Sequence, residues 1–127
     1  MSASSAPKVK AFLGSGIVPA YSFVKFGATK DVVTACGLNE RAIGIAQNSA
    51  ASVDGDVLEV ALMGGGAKLK CSEAIALGKM LTSSAGGLAK VANAAGEWIG
   101  AIAFEDGVLN DIIGVEVVGF QAVASDV

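Results

Sequence analysis

RAIGIAQNSAASVDGDVLEVALMG, residues Arg41–Gly64, is an apolar run (Ala42–Ala46), a polar loop ending in Asp54-Gly55-Asp56, and an alternating segment (Val57–Met63) that stops on glycine. In the last part Leu58, Val60 and Leu62 share one face and Val57, Glu59, Ala61 and Met63 the other, the two-residue period of a half-buried strand. The chain then repeats the phrase. Trp98–Ala103 reads WIGAIA, a loop carries Glu105-Asp106-Gly107 and Asn110-Asp111, and Ile112–Gly119 reads IIGVEVVG. Gly44 answers to Gly100 and Gly64 to Gly119, with the second loop one residue shorter. Two copies are too few for a solenoid and suit a domain of two related halves, about 17–64 and 74–119.

Outward from this stretch the pattern stays β. Ser22–Phe26 and Asp31–Cys36 flank Gly27-Ala28-Thr29-Lys30, which reads as a hairpin turn. Ala67–Ser72 alternates, with Ala67, Leu69 and Cys71 inward, and is expected to pair with Val57–Met63 around Gly64-Gly65-Gly66. Lys79–Ser83, Leu88–Ala92, Trp98–Phe104 and Ile112–Val118 continue the series. No stretch holds a sustained 3.6-residue apolar period. The expected fold is mainly β: a compact antiparallel barrel or sandwich of two related halves, with little helix. Residues 1–14, rich in serine and alanine, read as an extended N-terminal arm that needs a support, and 15–127 as a single β domain.

Composition narrows the function. The chain has 127 residues, 53% hydrophobic and only 17% charged, with a net charge of −3. A free-standing surface usually carries about 25–35% charged residues, so the apolar excess is core or contact surface. Lysine and arginine are not clustered as a nucleic-acid groove requires. No uncharged apolar run is long enough to span a membrane, and Ala11–Val18 is too short and glycine-broken for a secretory signal. The chain has no histidine, so zinc and haem sites lose their commonest ligand and no serine or cysteine has a triad base. Gly64-Gly65-Gly66 lacks the helix and the lysine of a phosphate loop. Asp54-Gly55-Asp56 lacks calcium-loop spacing. The reading is of a non-enzymatic protein with no metal and no cofactor. Cys36 and Cys71 read as small buried hydrophobes, with a disulfide between them left open by the sequence.

The contact candidates are Lys8, Val9 and Lys10 on the arm, Phe12 and Phe120 near the two ends, and the two residues of hot-spot type, Tyr21 and Trp98. Trp98 has the alternative reading of core filler.

The order of these elements resembles the capsid decoration (cement) proteins of tailed bacteriophages. The likeness is carried by Ala42-Ile43-Gly44-Ile45-Ala46, Asp54-Gly55-Asp56-Val57-Leu58-Glu59-Val60, Lys68-Leu69-Lys70-Cys71, Ala76-Leu77-Gly78-Lys79-Met80-Leu81, Gly86-Gly87-Leu88-Ala89 and Ile99-Gly100-Ala101. Pro19-Ala20-Tyr21 departs from it, standing where the second half has Ala76-Leu77-Gly78. The resemblance implies a compact β protein, often a homotrimer. Such a protein is made in the host cytoplasm and sits on the outer capsid surface of the virion. It clamps the major capsid protein of the expanded shell at three-fold and quasi-three-fold sites. Two other readings stand beside it: a biotinyl/lipoyl-type carrier domain, for which Glu73-Ala74-Ile75-Ala76 lacks the lysine, and another phage surface or tail β module.

Overall fold

The computed structural model describes residues 8–47 and 55–123 and is built of short strands. The first half supplies β1 (Val9–Gly14), β2 (Phe23–Phe26), β3 (Val32–Ala35), β4 (Gly44–Ala46) and β5 (Val57–Leu62). The second supplies β6 (Gly66–Lys70), β7 (Met80–Ser83), β8 (Ala89–Val91), β9 (Trp98–Ala103) and β10 (Ile112–Gln121). Among the described residues the helical content is one 3-10 turn, Ala85–Gly87. The expected mainly-β fold of two related halves is what forms.

The halves share one strand order. The first is a closed barrel, β1-β3-β2-β4-β5, in which β1 pairs antiparallel with β5 and parallel with β3. The second runs β6-β10-β9-β7-β8. Strand for strand, β6 to β10 repeat β1 to β5. The remaining contact of the second circuit is a parallel bridge, Cys71 to Ala89. Its hydrogen bond from Ser72 N to Ala89 O (2.8 Å) reproduces that from Ser15 N to Val33 O (2.8 Å).

Strand pairing corrects three expectations. Residues Val9–Gly14, assigned to the extended N-terminal arm, are barrel strand β1; residues 1–7 lie outside the described residues, as does Asp54. The duplication therefore reaches back to β1. Alternation hid this strand because its inward-pointing positions include Lys10 while Val9 and Leu13 are exposed. Next, β5 and β6 do not pair as a hairpin. β5 is held by β1 and β4, so the closed barrel has no edge left for β6, which pairs with β10 instead. Gly64-Gly65-Gly66 thus leads from one half into the other, with Gly64 N donating to Val117 O at 2.9 Å. Finally, the repeat is shifted by one residue at β4 and β9. Val24 faces Gly44, and its counterpart Leu81 faces Ala101. Gly44 therefore answers to Ala101, Gly100 to Ile43, and Trp98 to Arg41 rather than to Ala42.

The interiors repeat as well. Phe12, Val18, Val24, Val33, Ala46, Leu58 and Val60 fill the first barrel. Leu69, Ile75, Leu81, Ala89, Ala103, Ile113 and Val115 take the same places in the second half. The second set is continuous with Phe23, Cys36, Ile45 and Ala61, which point outward from the first barrel. Cys36 and Cys71 are both free and buried in this cluster. Burial, reinforced by Glu40 and opposed by Lys25, pushes the Cys36 thiol up to about 12. Burial, with Asp111 and Glu105, also raises Cys71.

Where the halves meet, the outer wall of the first barrel plugs one end of the second. Gly100 and Gly87 make room. A methyl group on Gly100 would lie 2.6 Å from the Phe23 ring, and one on Gly87 would lie 2.6 Å from Phe23 O and 3.0 Å from Ser22 Cβ. Ser83, buried, donates its hydroxyl to Gly37 O (2.6 Å), and its carbonyl accepts from Asn39 N (2.8 Å). Tyr21 O accepts from Lys70 N at 2.9 Å. Tyr21 has a φ of 60° where its counterpart Gly78 has 86°, which accounts for the departure at Pro19-Ala20-Tyr21.

Candidate functional site: an open barrel end

Among the described residues nothing plugs the corresponding end of the first barrel. It is a groove of about 770 Å³ lined by Lys10, Phe12, Phe26, Lys30, Asp31, Arg41, Ala42, Ile43, Leu62 and Met63. Phe12 is its floor, 6% exposed, and also part of the barrel interior. The strand period sends Lys10, next but one on β1, to the same side, and its ammonium lies 4.6 Å from the centroid of the Phe12 ring. Lys10 also pairs with Asp31 at 3.1 Å across the β1–β3 edge. Both partners are about half exposed, so this ion pair positions more than it stabilises.

The walls are apolar and exposed. Phe26, on the last turnward residue of β2, is 65% exposed, and Met63, just past β5, is 44% exposed. Met63 lies against Gly119, where a side chain would collide with its sulfur. Arg41 closes the other side, its guanidinium 5.4 Å from the Trp98 ring. Lys10, Lys30 and Arg41 against Asp31 make the groove cationic on a chain that is acidic overall. The groove offers large apolar anchors with a rim of cations, and among the described residues no acidic, cysteine or histidine cluster could hold a metal.

Of the residues singled out in the sequence, Lys10 and Phe12 line the groove and Trp98 flanks it through Arg41. Lys8 and Val9 are exposed at the start of β1, and the Lys8 side chain reaches over Gly64. Tyr21 and Phe120 do not line it. Tyr21 is a turn residue at the junction, and Phe120, expected outside the duplicated strands, is on β10 opposite Ile99. Sequence reasoning missed Phe26, Arg41, Ile43, Leu62 and Met63. Their signal was the repeat itself: Phe26, Asp31, Arg41 and Ile43 stand where the second half has Ser83, Gly87, Trp98 and Gly100, residues spent on the internal junction.

A second paired feature supports both hairpins. Glu40 accepts from Gly37 N and from Lys25 (2.6 Å); its counterpart Glu97 accepts from Asn93 N (2.7 Å), Ala94 N (2.9 Å) and Lys90 (3.4 Å). The Lys25 hydrogen bond first, then that of Gly37, holds Glu40 below the usual carboxylate value. Burial works to raise Glu97, but the Asn93 and Ala94 amides and Lys90 outweigh it, so Glu97 is also lowered. The lysines are not counterparts. Lys25 faces Thr34 across the first hairpin, and Thr82 faces Lys90 across the second, so the base and the threonine have changed strands.

No protein-family model matches the chain, and no curated protein matches it in sequence. Among solved structures, the crystal structure of the head fiber gp8.5 N base in bacteriophage phi29 matches it with a TM-score of 0.69 at 15% identity, over 87% of this chain and 92% of that one. At that identity the likeness is one of fold.

Proposed function

We propose that the chain is a non-enzymatic structural protein of a bacteriophage virion. It is made in the host cytoplasm and sits on the outer surface of the head. There it binds the major capsid protein of the expanded shell, as a homotrimer at three-fold or quasi-three-fold sites, and stabilises the lattice. The observation that carries the reading is the near end-to-end sharing of the double β fold with a phage head fiber base. The cationic apolar groove and the low charge of the chain agree with a life spent against other proteins.

The physics is linkage. A protein that binds only the expanded lattice stabilises it by its binding free energy, repeated over every copy, and a trimer engages several capsid subunits at once. Purified protein should co-sediment with expanded heads of its own phage, not with unexpanded ones, and raise their disruption temperature. Binding to tails and not to heads would move the protein to another virion structure, and binding to neither would overturn the proposal.

A further inference from the structure

The two barrel ends are the same surface in different circumstances. At the junction, Ala67, Ser83, Gly87, Trp98, Gly100 and Val117 receive the outer wall of the first half. Their counterparts by strand register are Lys10, Phe26, Asp31, Arg41, Ile43 and Leu62, all of them in the groove wall. One end is filled by the preceding half, and the other is a groove among the described residues.

The plug also has a spare. Phe23 and Ile45, which fill the second end, are wholly buried. Their counterparts on the second half, Met80 and Ile102, face each other across β7 and β9 and are only half-buried. Phe104, just past β9, is 38% exposed. Charges match too. Gly87 lies against Ser22 at the junction, and their counterparts are Asp31 and Lys79, an acid and a base, both exposed.

One corner differs. Gly96 N, the counterpart of Asn39 N, is taken by Ala122 O of the chain's own C-terminal segment at 2.8 Å, where Asn39 N is taken by Ser83 O. The tail covers that corner, and the surface left for docking is Lys79, Met80, Ile102 and Phe104.

We infer that the open barrel end of one copy receives the Lys79–Met80–Ile102–Phe104 wall of a second copy, in the orientation of the junction within one chain but set further out, because Asp31 and Ile43 stand where Gly87 and Gly100 admit the Phe23 wall. The contact is head-to-tail, so it needs no two-fold axis and closes into a ring once the rotation per copy allows it. The inference specifies the interface of the proposed oligomer and stands or falls apart from capsid binding.

The test is a cysteine pair. A side chain on Gly87 would begin 3.0 Å from Ser22 Cβ, and with the wall set further out the counterpart Cβ atoms of residues 31 and 79 move toward the separation of about 3.5–4.5 Å typical of a disulfide. The double variant Asp31→Cys/Lys79→Cys should therefore cross-link under mild oxidation into covalent oligomers up to the closed ring. Each single variant should give none, the native cysteines being buried. As a second readout, Asp31→Lys and Lys79→Glu should each weaken self-association several-fold, and the two together should restore it. Cross-linking of the double variant with loss and rescue by the charge swap supports the interface. An oligomer that does not cross-link and ignores the charge changes, or a wild-type chain that stays monomeric, overturns it. If the ring forms but no head is bound, the functional reading fails and this one stands.

Discussion

The two halves have one strand order and one set of interior positions, yet their ends have opposite fates. In the second half, Gly100, Gly87 and Ser83 are small because the Phe23 wall presses on them; in the first, Ile43, Asp31 and Phe26 occupy those places and face a groove. Equal backbones with unequal side chains separate what the fold requires from what a contact requires. Interior apolar positions recur nearly in kind, whereas the filled and the open end differ in size and charge at Lys10/Ala67, Phe26/Ser83, Asp31/Gly87 and Ile43/Gly100.

The sharpest break in this comparison comes from the plug residues. Phe23→Ala empties a wholly buried ring at the junction and should cost about 3–5 kcal/mol, while the same change at its counterpart, Met80→Ala, should cost about 1 kcal/mol in the isolated chain. Chemical denaturation of both variants measures the difference, and equal losses would mean that the junction is not where the stability lies. Gly100→Ala sets a methyl against the Phe23 ring, which has no room to retreat, and should cost about 1–3 kcal/mol by overpacking.

The carboxylate pair comes next. Glu97, with two amides and Lys90 and little exposure, should lose about 2 kcal/mol as Glu97→Ala. Glu40, more exposed, should lose about 1 kcal/mol as Glu40→Ala. Both groups have folded values below the ordinary 4.5. Their contribution is therefore complete above that value and disappears as pH falls through the lowered folded values. Thermal melts from pH 7 to pH 3 should show the wild type losing stability at the acid end, with Glu97→Ala losing less because its share is already gone.

The smallest effect, and the only gain, belongs to the threonine that changed strands. Thr82 Oγ1 is buried with no hydrogen-bond partner. Thr82→Val keeps the shape, removes the unpaired hydroxyl and should stabilise by about 1 kcal/mol. The same change at Thr34, half-buried opposite Lys25, should be close to neutral.

Much of this was legible in the sequence, and for a physical reason. Alternation reports which side of a strand is dry, so the β class, the β2–β3 hairpin and the strand–loop–strand echo at Arg41–Gly64 and Trp98–Gly119 could be read directly. Alternation says nothing about which strand lies alongside. Hence β5 and β6 looked like a hairpin, although closure of the first barrel denies β6 an edge. β1 escaped because Lys10 faces inward at an open end, where a charge keeps its water, and the strand therefore reads as a polar arm. The groove was half visible, through Lys10, Phe12 and Trp98. Phe26, Arg41 and Met63 were not, because their exposure depends on what fails to cover them. The exchange of lysine and threonine between Lys25/Thr34 and Thr82/Lys90 becomes apparent only when the registers are known.

The central claim is that the first barrel end is a contact surface awaiting the surface that fills its twin. Sedimentation equilibrium of the purified wild-type chain tests it most directly. The account predicts a closed oligomer, a trimer, that Lys79→Glu loosens and Asp31→Lys with Lys79→Glu restores. A monomer at every concentration, or an oligomer indifferent to both changes, would contradict it.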